Sequence, residues 1–170
     1  MTTLEFIKNI ALLTGIADFL IYVAFIWGRY GIQRSISISF YDLPMDYKII
    51  FRLFIWILSA AIFLCGIGWE NPLFFISGPL LSLVGIFTRI KVKWKYVIHM
   101  IGAIGGIISC FVAVMMCDLK LGVITCFASI LGFMLAFFFG KKEHMIWNVE
   151  VVCFATLMSS LLYLNNMIPW

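Results

Sequence analysis

The chain has 170 residues, of which 64% are hydrophobic and only 12% charged, and its mean hydropathy is +1.11. A soluble domain of that size must cover its surface with polar side chains, and there are too few here to do so. The net charge of +4 does not point to nucleic acid as a partner, because the positive residues sit in short connections between apolar runs rather than on one basic face.

That composition predicts a polytopic membrane protein built as one domain. Six apolar runs are long enough to span: 10–27, 49–66, 72–88, 97–117, 121–139 and 145–164. Inside lipid each run must satisfy its own backbone hydrogen bonds, so helices are expected. The ten-residue alternation of a membrane barrel is absent. The expected fold is therefore an all-α, six-helix transmembrane bundle.

The first run follows Glu5 and Lys8, contains Asp18, and has no small-x-small cleavage site before Arg29. It reads as a retained span rather than a leader. Asp18 lies near the middle of it, one turn after Thr14. An ionisable group there is costly and faces a partner, a cavity or a pathway. Asp18 is read either as a carboxyl packed against another helix or as a site for a cation or proton.

Between Gly28 and Lys48 runs the longest polar gap, which includes "SISISFYDLP". Read as a strand, it puts Ile36, Ile38 and Phe40 on one face and Ser35, Ser37 and Ser39 on the other. Read as a helix, it makes Ile32, Ile36, Phe40 and Leu43 the stripe. Either way one side is apolar, Tyr41 and Asp42 follow, and Pro44 ends the segment. It is expected at the membrane interface or folded against the bundle, as a connector or as the lid of a pocket.

The later runs carry further ionisable residues. Arg52, His99 and Glu150 open the second, fourth and sixth spans, within roughly 8 Å of one depth at ~1.5 Å rise per residue. A cation, an imidazole and a carboxylate at one level suggest a polar cluster beneath residues 35–42, with Arg52 as counter-charge to Glu150. Separate anchoring at the interface is the alternative. The loop "RIKVKWK" alternates Arg89, Lys91, Lys93 and Lys95 with apolar residues, a pattern suited to anionic lipid headgroups.

Small residues predict how helices meet. Gly102 and Gly106 form a GxxxG, and Ala128, Gly132, Ala136 and Gly140 recur every fourth residue. Such faces let backbones approach closely, either within one chain or as the seam of a homo-oligomer. The five cysteines lie within or at the ends of apolar runs, with no CxxC pair, and read as small buried hydrophobes.

Orientation follows from the basic residues. Arg29, Arg34, Lys48, Arg89, Lys91, Lys93, Lys95, Lys141 and Lys142 fall in the connections after spans 1, 3 and 5, against Lys8 and Lys120 on the other side. Nine against two puts those connections in the cytoplasm and both termini outside, in a plasma or bacterial inner membrane. Trp27, Trp94 and Trp147 are expected at the inner interface, and Trp69 and Trp170 at the outer one.

The Ser-rich "SISISFYD" after the first span, the basic loop after the third and the histidine in "VIHMIGAIGG" together resemble a known layout. It is that of the DRAM/Sfk/FGF-receptor-activating-protein type of six-span membrane proteins and their bacterial relatives. The resemblance covers the span order over most of the chain and implies the bundle. It implies no particular chemistry.

There is no GxSxG, HExxH or Walker glycine loop, and only His99 and His144 are available as imidazoles. No cofactor or metal site is expected, and enzymatic activity is disfavoured. The leading expectation is a protein that binds or moves a small or lipid-like ligand through a cytoplasm-facing cavity. A non-catalytic scaffold or oligomeric pore, using the 128–140 stripe as its seam, is the alternative. An intramembrane lipid-modifying enzyme comes third. Membrane lipids are the expected partners.

Overall fold

Each apolar run becomes a helix, and a side-chain cap decides where three of the six begin. The computed structural model describes residues 2–88 and 92–165. Arg89, Lys91 and Trp170 lie outside the described residues. The helices are α1 Thr3–Tyr30, α2 Ile36–Asp42, α3 Lys48–Gly68, α4 Pro72–Ile86, α5 Lys93–Cys117, α6 Leu119–Phe139 and α7 Met145–Leu164. Single 3₁₀ turns at Met45–Tyr47 and Lys142–His144 lead into α3 and α7. Among the described residues there is no strand.

α1 starts a full two turns before its apolar run because Thr2 and Glu5 form a reciprocal capping box. The Glu5 N–H donates to Thr2 Oγ1 (3.2 Å) and the Thr2 N–H to Glu5 Oε2 (2.7 Å). Asn71 and Asp118 cap α4 and α6 by accepting the Leu73 and Leu121 N–H groups, each at 3.0 Å. Pro72 follows Asn71 at the first helical position, where its missing N–H costs nothing.

Five helices are long and apolar enough to cross a membrane: α1, α3, α5, α6 and α7. The chain is thus an all-helical, multi-pass membrane bundle. The expected span over 72–88 differs. α4 has 15 residues and Pro79 inside it, which gives about 22 Å against a ~30 Å hydrocarbon core. It still runs antiparallel between α3 and α5. Gly66 of α3 faces the Phe74–Phe75 backbone near one end of α4, and Gly85 of α4 faces Trp56 near the other.

With the short α4 counted, the helices α1, α3, α4, α5, α6 and α7 alternate in direction, so the connections after α1, α4 and α6 collect at one end of the bundle. The basic residues of those connections therefore share that end, hereafter the basic end. Residues 9 and 165 close the opposite end, where Asn165 Nδ2 donates to Asn9 Oδ1 at 2.6 Å. The core runs along α1, α3 and α7 and is aromatic near the basic end. Tyr22 stacks flat on Phe54 at 4.1 Å, with Phe51 and Phe40 edge-on around them. α6 is the least covered helix; Phe127, Phe133, Phe137 and Phe138 point outward, a face suited to lipid.

The small-residue faces meet partners within the chain. Gly102 receives the Leu80 carbonyl and Gly106 the Leu81 side chain of α4. Gly132 receives Val152 of α7, Gly140 lies against Asn148, and Ala136 is buried. Ala128 is half-buried beside the α6–α7 contact. The tryptophans divide. Trp27 and Trp94 are 63% and 56% exposed, as interface rings should be, but Trp147 is only 4% exposed. The expectation of an interface ring at Trp147 is corrected: its side chain is drawn into the core, and its backbone N–H donates to the Arg34 carbonyl at 3.1 Å.

Candidate functional site

The segment between α1 and α3 is a helix, and its serines explain why. Ser35 is the N-cap of α2 and accepts the Ile38 N–H at 3.0 Å. Ile36, Phe40 and Leu43 are buried, the stripe expected for a helix. Ile32, the first residue of that stripe, remains exposed. Extended backbone at Leu43 and Pro44 then ends the turn.

α2 lies across the basic end, and each of its polar groups is used differently. Ser39 donates to the Ile36 carbonyl at 2.5 Å. Its single proton is then spent, so the Tyr22 hydroxyl donates to Ser39 Oγ in their 2.6 Å contact. Tyr41 donates to the Thr88 carbonyl, 3.1 Å away beyond the end of α4. Asp42 is exposed at the C-terminal end of α2.

His99 and Glu150 reach α2 from α5 and α7. His99 Nδ1 lies 3.2 Å from the Phe87 carbonyl and Nε2 lies 3.0 Å from Ser37 Oγ. A carbonyl only accepts, so Nδ1 carries the proton, and in the neutral ring Nε2 accepts from Ser37. Glu150 Oε2 accepts the Ile36 N–H at 2.5 Å, taking a first-turn donor that has no partner within α2. A backbone amide and a serine hydroxyl, one residue apart, are thereby held by two different helices.

Arg52 does not join them. It lies on the other side of α2, with its guanidinium carbon 5.8 Å from the centre of the Phe40 ring. Among the described residues it makes no ion pair with Glu150. The expected counter-charge role of Arg52 is corrected: its depth matches theirs, but α3 presents it toward a different face of α2. Asp18 is also apart, half-buried one turn deeper than Tyr22, and its Oδ2 is buried without a hydrogen-bond partner.

Below α2, between α5 and α7, runs a groove of about 380 Å³. Its polar end is formed by Ser35, Ser37, Tyr96, His99 and Glu150, with Ile38 and Ile146 beside them, and its length by Met100, Ala103, Ile104, Ile107 and Ile108 of α5. His99 is 3% exposed, whereas Ile104 is 50% exposed. The groove is therefore closed at its polar end and open to the side along its apolar length. Among the described residues no lysine or arginine lines it. Among the described residues no three His, Cys, Asp or Glu side chains are placed to hold a metal, and the five cysteines are free thiols.

Lys93 and Lys95 occupy the first turn of α5, with Lys95 Nζ 5.2 Å from the Trp94 ring centre. Cations are disfavoured at a helix N-terminus, so the helix itself gains nothing from them there. An anionic surface beside the basic end would.

Two participants are not among the residues expected from the sequence. The Phe87 carbonyl that orients His99 belongs to the backbone, which composition does not reveal. Tyr22 carried a faint signal: it stands one turn from Asp18 on the same helical face.

No family model, curated protein or solved structure matches this chain, so its function is argued from this geometry alone.

Proposed function

We propose that the protein binds an amphiphile in the groove between α5 and α7, with α2 as its lid, and admits it from the lipid at the basic end. The observation that carries this is the groove's asymmetry. One end holds a carboxyl, an imidazole and three hydroxyls, and the rest is apolar and open sideways. A hydrophobic body gains from leaving the water-facing boundary along that wall, while a polar head finds hydrogen-bond partners at the closed end. Because the described lining carries a carboxyl and no cation, the preferred head is an amine or hydroxyl rather than a phosphate.

The likeness to the DRAM/Sfk/FGF-receptor-activating-protein type belongs to the same proposal. It is supported by the fact that "SISISFYD" and the histidine of "VIHMIGAIGG", separate in the sequence, meet through Ser37 and His99. The basic end is read as cytoplasmic from its charge.

Two measurements test this reading. A long-chain amine and a monoacylglycerol are offered to the purified protein in nanodiscs. Ile104→Trp, which fills the groove from a position already half-exposed, should lower their retention at least tenfold. Unchanged retention overturns the amphiphile site. For orientation, single cysteines at Glu70 and Lys142, both exposed, should label from opposite sides of the membrane, with position 142 cytoplasmic. Labelling of both from one side refutes the arrangement.

A further inference from the structure

On the other side of α2 lies a second recess, of about 440 Å³, walled by Phe40 and Tyr41 of α2 and by Lys48 and Arg52 of α3. Met45 and Ile49 form its outer rim. Among the described residues it shares no lining with the amphiphile groove, and its chemistry is the reverse: two cations and no carboxylate.

Three observations point the same way. Lys48 and Arg52 stand one turn apart on α3 and converge on one ring, with Nζ and the guanidinium carbon 5.2 and 5.8 Å from the Phe40 centre. Like charges at this spacing repel and destabilise the helix that carries them. Neither is neutralised, since Asp42 and Asp46 nearby are exposed and the described residues contain no ion pair to either cation. Finally, Arg52 Nε is buried and has no acceptor. An unmet charged donor is costly, and native structures rarely keep one without a ligand or ion to take it.

We infer that this recess is a binding site for a phosphoryl anion, held between the Lys48 ammonium and the Arg52 guanidinium with Phe40 as its floor. An anion there relieves the repulsion and gives the guanidinium a counter-charge from the recess side. A guanidinium offers paired donors that match phosphate oxygens, and the ammonium adds a mobile charge. Met45, 81% exposed, and Ile49 put apolar contacts at the rim, where the glycerol and acyl portions of a phospholipid would lie. The same chemistry also accepts a free phosphate from water. The site goes beyond the proposed amphiphile function and does not depend on it.

The test uses the full chain in a neutral detergent, with native mass spectrometry reading the bound phosphatidylglycerol. Arg52→Gln and Lys48→Gln should each weaken binding about fivefold, the scale for one cation near a membrane surface. Lys141→Gln, an exposed cation at the same end but outside the recess, should change nothing. If Arg52→Gln does not fold, Lys48→Gln at a half-buried position carries the test. Inorganic phosphate at millimolar concentration should displace the lipid if the site takes the free anion, and leave it bound if the acyl contacts decide. Equal losses in all three variants, or a loss in none, overturn the site.

Discussion

α3, α4 and α5 are joined differently from α6 and α7, although both units use hydroxyl pairs. Ser77 and Ser109 meet at 2.6 Å between α4 and α5; Thr125 and Ser160, and Ser129 and Thr156, meet at 2.5 and 2.7 Å between α6 and α7. In two of these pairs each hydroxyl also lies within reach of a carbonyl one turn back in its own helix: Leu73 and Gly105 for the first, Leu121 and Thr156 for the second. Two protons thus face three acceptors, and one hydroxyl must turn from its own helix to reach its neighbour.

The difference lies in the backbone. Gly66 and Gly102 bring α3 and α5 against α4 main-chain atoms, whereas the atoms nearest to Gly132 of α6 belong to the side chain of Val152. Main-chain atoms have no rotamer to change. The first unit is fixed in spacing, and the second can yield at a side chain and toward lipid. His99 stands on the first and Glu150 on the second, so the groove between them has one fixed wall and one adjustable wall.

Several changes would break or sharpen that contrast. The largest effect is expected from Gly66→Leu, which drives a side chain into the Phe74–Phe75 backbone. It should cost about 3 kcal/mol or more and appear as loss of the monodisperse species in detergent. Gly132→Leu is expected to cost less, about 1–3 kcal/mol, as a lowered melting temperature with the species retained. Equal losses from the two would show that α6 and α7 are as tightly fixed as α4. The smallest effect is that of a single hydroxyl pair. A double-mutant cycle with Thr125→Ala and Ser160→Ala should give a coupling near 0.6 kcal/mol, typical for such bonds in lipid. A coupling above about 2 kcal/mol would make hydroxyls, rather than shape, the main tie in this unit.

The sequence made the helices and their order legible, because long apolar runs and capping residues are local features. It also marked His99 and Glu150, since an ionisable residue in an apolar run is conspicuous by type and depth. What it could not give was azimuth. Helices this apolar have no strong polar face to fix their rotation about their own axes, so Arg52 was expected beside Glu150 and stands across α2 from it. The helix or strand character of residues 35–42 was equally open, because so short a run fits both periods. Ser35 as an N-cap and the buried spacing of Ile36 and Phe40 decide it. Arg89 and Lys91, expected to contact lipid headgroups, lie outside the described residues.

The bond from the Ile36 amide to Glu150 joins residues 114 positions apart. A ribosome adding roughly 5–20 residues per second needs on the order of 6–20 s to travel that far. During that interval the Ile36 amide lacks its acceptor, while α3, α4 and α5 are made in turn and His99, once present, awaits its second wall. The groove therefore begins as an open trough in the lipid and becomes a closed site only when the last helix arrives. Under the proposed function, an amphiphile would have its easiest entry during synthesis, before Glu150 latches the first turn of the lid.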